Sequence, residues 1–213
     1  MSSFRSQLLK IASTLVKTHG FTRKALADSV LHLPEREARQ EPLSDLAVSA
    51  LFGTGDMGRV ALINAWLDEG LNHMRKVPTS STRDVLLARL SYNRDVLRDL
   101  PEAFALLCSP ESGWPPVDPR PALKHAATIA NETCLITQDR ALQLDWYAKR
   151  ASLATVYSAA ELHQLSSPET AEAFLDNLLN SSETVNSAFR EATLFSSYVY
   201  KSWGGILRSK GIL

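Results

Sequence analysis

The chain has 213 residues, 45% of them hydrophobic, enough to core one ordinary domain. Its 23 Lys+Arg balance 23 Asp+Glu, so no global field recruits nucleic acid. No apolar run approaches the roughly 20 residues of a membrane-spanning helix. Cys108 and Cys134 lack the spacing of a redox or zinc motif and read as buried thiols in a reducing compartment.

Helical periodicity dominates, and no stretch alternates convincingly with period two. The expected fold class is therefore all-α, with nine or ten helices and no sheet. Residues 1–27 carry Arg5, Lys10, Lys17, Arg23 and Lys24 and no acid, the composition of a mitochondrial transit peptide. Yet Leu8, Ile11 or Ala12, and Leu15 form a helical stripe that stops at His19-Gly20, with His19 complementing the helix dipole. The segment reads as the first helix of the folded domain, any presequence having been removed or never present.

A second helix is predicted from about Thr22, its cap, to Leu33, then a charged loop bracketed by Pro34 and Pro42, then a third helix from Leu43 to Leu51. The glycine-rich run Gly53 to Gly58 lacks a preceding strand and a following Lys-Ser/Thr, and Asp56 would repel an anion, so it is a turn and not a phosphate loop. It opens a long fourth helix whose inner face holds Val60, Ile63 or Asn64, Leu67, Leu71 and Met74. Ser81 to Asp84 starts a helix running to about residue 100, and Pro101-Glu102 opens a short one through Cys108. After a Pro/Gly-rich loop, Asp118-Pro119 begins another.

From Leu144 the chain reads as two helices separated by Ser166-Ser167-Pro168, with Ser167 as the second N-cap. The first has a core stripe through Leu153, Val156 or Tyr157, Ala160 and Leu162. Neighbours on a helix sit about 100° apart, so Trp146 and Tyr147 cannot share one core stripe. One of them is expected at the surface beside Lys149 and Arg150, where an exposed aromatic next to cations suits a contact site. At the C-terminus, Phe195, Val199, Trp203 and Ile206 lie on one helical face with Tyr198 at its margin, and Lys201, Arg208 and Lys210 supply charge in a stretch without acids. That is the pattern of an interfacial helix seeking anionic lipid, although Gly204-Gly205 weakens it.

The segment Trp146, Tyr147, Lys149, Arg150, Ala151, Leu153, Ala154, Val156, Tyr157, Glu161, Leu162, followed by Ser167-Pro168 and Ala173-Phe174-Leu175-Asp176, resembles the signature of the Coq-nine family of ubiquinone-biosynthesis accessory proteins. Weaker matches lie at His19–Thr22, Leu51–Gly53 and Arg89–Leu107. The chain departs from the family's acidic pair ahead of the Trp: Asp139 matches the first, but Gln143 stands at the second and Asp145 is displaced toward the Trp.

The resemblance implies a TetR-like architecture, a pocket for an isoprenoid lipid or quinone precursor, and no chemistry of its own. It also implies docking to the di-iron hydroxylase of late ubiquinone biosynthesis, and a place in the mitochondrial matrix, peripheral on the inner membrane (the cytoplasmic face in a bacterium). The apolar helices 58–76, 81–100, 118–134 and 144–164 supply candidate lipid-lining residues Leu86, Leu90, Ile129, Leu153 and Tyr157, with Phe104 on the short helix between them and Phe174 and Leu178 beyond them. The candidate partner surface is Leu144, Asp145, Trp146, Tyr147 and Arg150, and the membrane-binding residues are those of the C-terminal stripe. The corresponding division is 1–52 as a helix-turn-helix-like part, continuous with a lipid-binding bundle at 53–181, and 182–213 as the membrane-associating helix.

The alternative is a TetR-type, ligand-responsive DNA-binding regulator. Three short helices, a long connecting helix and a larger bundle follow that order. From Glu41 to Met57, however, there are three acids and no Lys or Arg, which is wrong for a helix that must neutralise phosphates. No nucleic acid is expected as a partner, and self-association is left open. Glu69 and His73 share a helix face, but two ligands make no metal site, and the repeated Glu-x-x-His of a di-iron bundle is absent. Glu161 and His163 point to nearly opposite faces. No catalytic residue, metal or cofactor is expected.

Overall fold

The computed structural model describes residues 2–34, 40–78, 81–110, 117–138 and 144–183. The described residues are helical, with no strand among them. The chain divides into two compact units, Met1–Gly70 and Leu71–Leu213.

In the first unit α1 (Ser2–His19) ends where Gly20 takes a left-handed φ of 64° and donates its N–H to the Val16 carbonyl at 2.8 Å. His19 pairs with Asp28 at 3.3 Å. The Thr22 hydroxyl caps α2 (Arg23–Asp28) by accepting from the Ala25 N–H, as the sequence indicates. The expected helix to Leu33 does not persist. It tightens into a 3-10 turn at Ser29–His32, and Leu33, which precedes Pro34, is extended because that position disfavours helical backbone. Ser44 caps α3 (Asp45–Phe52). Gly53 follows at φ 111°, and a Cβ there would lie 2.7 Å from that of Met57, so the turn into α4 (Met57–Arg75) requires glycine. Trp66, absent from the inner face read from sequence, is buried edge-on to Phe21 with ring centroids 5.4 Å apart.

The second unit contains α5 (Thr82–Tyr92), α6 (Leu100–Leu107), α7 (Arg120–Ile136), α8 (Leu144–Ser166) and α9 (Ala171–Glu183). The single helix expected over 81–100 is broken. At Asn93 the backbone N–H bonds to the Leu90 carbonyl, three residues back, and a 3-10 turn covers Arg94–Val96. Asn93 tightens the chain there while its side chain turns into the interior. A second correction concerns Ser167, which makes no side-chain cap. Pro168–Thr170 enters as a 3-10 turn, the Thr170 hydroxyl donates to the Ser167 carbonyl, and α9 starts at Ala171.

One apolar cluster gathers Leu86 and Leu90 from α5, Ile129, Ala130 and Cys134 from α7, Leu153, Val156, Tyr157 and Ala160 from α8, and Ala171 and Leu175 from α9. Cys108 and Cys134 are buried and not joined in a disulfide, as expected. Desolvation pushes the Cys108 thiol up to about 11, only partly opposed by a hydrogen bond from the Ala122 backbone.

Candidate functional site

Helices α7 and α8 form an antiparallel pair whose register is fixed by side chains. The Arg150 guanidinium donates through Nε to Asn131 Oδ1 at 3.0 Å. Arg150 also lies over the Trp146 indole, its guanidinium carbon 3.8 Å from the ring centroid, and donates to the Trp146 carbonyl at 3.3 Å. Such a cation–π contact is worth about 0.5–1 kcal/mol at a partly exposed site. Tyr147 packs edge-on against Trp146 at 4.7 Å. Both rings are exposed, Trp146 by 37% and Tyr147 by 69%, and Leu135 is 59% exposed. The sequence placed one aromatic at the surface; the structure places both there.

An aromatic pair with one guanidinium pinned over it is a pre-ordered contact surface, since little rotamer freedom remains for Trp146 or Arg150 to lose on docking. Leu144 and Asp145 open α8, but their side chains lie outside the described residues, as do Asp139 and Gln143.

Of the lipid-lining candidates, Leu86, Leu90, Ile129, Leu153 and Tyr157 meet in the buried cluster, and Phe174 and Leu178 pack against it half-buried. Phe104, on α6, is buried with its ring 6.0 Å from that of His125. The membrane-binding candidates Phe195, Tyr198, Val199, Lys201, Trp203, Ile206, Arg208 and Lys210 lie outside the described residues.

Sequence reading missed a polar group enclosed by the second unit. Arg89 from α5, Asn93 just past its end, His125 from α7, and Tyr157, Glu161 and Gln164 from α8 converge there. Arg89 donates through Nη1 to Asn93 Oδ1. Asn93 Nδ2 donates to Glu161 Oε1 at 3.0 Å and to Gln164 Oε1 at 3.1 Å, and Gln164 Nε2 donates to the Leu90 carbonyl at 2.9 Å. The Tyr157 hydroxyl donates to Glu161 Oε1 at 2.7 Å, and His125 Nε2 lies 3.3 Å from Glu161 Oε2. Burial by itself would raise the Glu161 carboxyl. His125 beside it, the Arg89 charge and the Tyr157 hydrogen bond outweigh that and hold it at about 2. Desolvation raises the Tyr157 hydroxyl well above its ordinary value, so it stays a donor. The only advance signal was negative: Arg89, Asn93 and Gln164 interrupt otherwise apolar helix faces.

Among the described residues no group of three His, Cys, Asp or Glu side chains is arranged to hold a metal ion. The chain is 30% identical over 173 residues to the ubiquinone biosynthesis protein coq9, mitochondrial, of Schizosaccharomyces pombe, covering 76% of this chain and 67% of that protein. The chain belongs to the COQ9 family. It is also 24% identical over 192 residues to the ubiquinone biosynthesis protein COQ9, mitochondrial, of Rattus norvegicus, covering 82% of this chain and 57% of the rat protein. The COQ9 family model itself matches residues 120–186. Those residues hold α7, α8 and α9, and with them the aromatic patch and four of the six buried polar side chains. The COQ9 likeness is thus concentrated where both candidate sites lie.

Proposed function

We propose that this protein is a non-catalytic accessory protein of ubiquinone biosynthesis. In this reading it carries an isoprenoid lipid or quinone precursor in residues 71–181 and presents it to a membrane-associated di-iron hydroxylase. It would work in mitochondria, as the names of its relatives support, on the matrix side against the anionic inner-membrane surface. The observation that carries the reading is the Trp146–Tyr147–Arg150 patch, a pre-ordered, exposed aromatic surface inside the stretch most like the family. The chemistry of hydroxylation would belong to the partner.

The test is affinity for the hydroxylase of the same source. Truncating an aromatic anchor typically costs about 2 kcal/mol or more. Trp146→Ala should therefore weaken the complex by roughly 30-fold or more, with the protein still folded and its melting temperature lowered by no more than about 4 °C. Unchanged affinity counts against the docking surface.

The regulator alternative finds little support. Three arginines of the first unit are engaged within it: Arg5 on the Leu51 carbonyl, Arg23 on Asp45, Ser49 and the Gly53 and Gly55 carbonyls, and Arg59 on Asp56 and the Phe21 carbonyl. Helix α3, which would have to read a groove, carries no cation and presents Leu46 at 82% exposure.

A further inference from the structure

Ser167 occupies an N-cap position, yet its side chain makes no cap hydrogen bond. Its backbone, at φ −143° and ψ 69°, leaves the helical region and turns the chain from α8 into the 3-10 turn at Pro168–Thr170. Ser167 is half-buried, and Ser166, Pro168, Glu169 and Thr170 around it are exposed. The backbone bonds at this corner are local. Ser167 donates to the His163 carbonyl at 2.8 Å, Thr170 to the Ser167 carbonyl at 3.3 Å, and Ala171 to that of Pro168. No side chain from Ser166 to Thr170 is buried, so the corner opens at little cost.

The chain contains two Ser-Pro pairs, Ser109-Pro110 and Ser167-Pro168. The Ser109 hydroxyl is engaged at the end of α6, donating to the Ala105 carbonyl at 2.8 Å. Ser167, in its open turn, is the better presented of the two. A serine followed by proline is the pattern a proline-directed protein kinase reads. Proline has no backbone N–H, so an apolar kinase pocket without an acceptor takes it and rejects residues whose N–H would be left unpaired.

A second observation concerns charge. His163 lies one turn before Ser167, its ring stacked on Phe174 at 4.3 Å and its Nε2 2.8 Å from Thr170 Oγ1. The Thr170 hydroxyl donates its one proton to the Ser167 carbonyl, so it receives one from His163. The imidazole therefore aims an N–H donor at this turn. Arg94 reaches the same corner through Glu172. Glu169 and Glu172 are the acids facing them.

We propose that Ser167 is a phosphorylation site for a proline-directed kinase and that His163 holds the phosphate. In that step Ser167 Oγ attacks the γ-phosphorus of a nucleoside triphosphate. The Oγ–P bond forms as the bond to the nucleoside diphosphate breaks, and the hydroxyl proton passes to the kinase's base. The product carries about −1.5 to −2 charges ahead of α9, where the partial positive charge of a helix start favours an anion. His163 then donates to a phosphate oxygen instead of the Thr170 hydroxyl. Since α9 supplies Ala171 and Leu175 to the apolar cluster, the modification tightens the corner from which α9 packs onto it.

The first experiment incubates the full chain with ATP and a purified cyclin-dependent kinase, and maps the phosphate by mass spectrometry. The folded protein should be labelled at Ser167. The label should be lost in Ser167→Ala and mostly lost in Pro168→Ala, with circular dichroism confirming that both are folded. Labelling at Ser109 instead, or only after unfolding in urea, would overturn the site. A second experiment avoids the kinase by placing phosphoserine at Ser167 through codon-directed incorporation and titrating it by phosphorus NMR. Contact with His163 should pull the second phosphate ionisation below its ordinary value of about 6, by roughly 0.3 pH unit. His163→Ala should bring it back toward that value. An ionisation left unshifted, or shifted equally in a folded His163→Ala protein, would overturn the role of His163 and the proposal with it.

Discussion

Glu161 decides how the interior of the second unit responds to acid. Its carboxyl sits at about 2 in the folded protein, against an ordinary 4.5. A depressed carboxyl contributes stability that is fully present above the unfolded value and is lost as pH falls through the folded one. The melting temperature should hold above about pH 4.5 and decline between there and about pH 2. Glu161→Gln should flatten that acid limb. It also leaves Arg89 buried beside a neutral amide, and removing one partner of a buried pair costs about 3–5 kcal/mol. Thermal melts of both proteins from pH 7 to pH 2 check both points; parallel limbs would show that another carboxylate governs acid unfolding. Residue-level legibility was uneven. The tight apolar positions Leu153, Tyr157 and Ala160 followed from helical spacing. The pairing of Asn93 with Glu161 and Gln164 did not, because it joins helices about 70 residues apart, and single-chain periodicity carries no information on which polar faces meet.

At the scale of elements, α9 shows which kind of contact holds a helix in place. It is tied to α5 by a bidentate Arg83–Asp176 pair, Nε to Oδ1 at 2.6 Å and Nη2 to Oδ2 at 2.8 Å, and to the 3-10 turn after α5 by Arg94 to Glu172. It also buries Ala171 and Leu175 in the apolar cluster. Both arginines are half-exposed or more, so solvent and salt screen these pairs. Leu175 has no such discount: cutting a fully buried leucine to alanine costs about 2–5 kcal/mol. Leu175→Ala should lower stability strongly and independently of salt, whereas Asp176→Asn should have a small effect that fades as salt rises. Denaturant unfolding at low and high ionic strength separates them, and a larger loss from Asp176→Asn would reverse the ranking. Element starts were legible where a hydroxyl caps at Thr22 and Ser81, whereas the third helix, read from Leu43, starts at Asp45 behind the Ser44 cap. The start at Pro168 was misread because the chain enters there through a 3-10 turn, and hydroxyl and proline signals are shared by both helix types.

For the whole molecule, the question is how a chain with no helix long and apolar enough to cross a membrane, among its described residues, could act on a ligand that lives in one. Balanced overall charge gives no general attraction to anionic lipid, so adhesion would have to be local. Residues 192–213 concentrate Lys201, Arg208 and Lys210 without an acid, beside Phe195, Tyr198, Val199, Trp203 and Ile206. Each cation near an anionic surface contributes about 1 kcal/mol, and Trp and Tyr rings settle at headgroup depth. Neither contribution alone anchors a protein, but together they give reversible adhesion, which suits a carrier that must release its load. Within the described residues α9 is fixed by Ala171 and Leu175. A chain ending at Ser181 should therefore melt at the same temperature and, on the function proposed above, still bind the hydroxylase. It should lose co-flotation with cardiolipin-containing liposomes, and raising the salt should weaken flotation of the full chain in the same direction. Equal flotation of the two chains would place membrane contact elsewhere, the exposed Leu46 of α3 being the first surface to substitute.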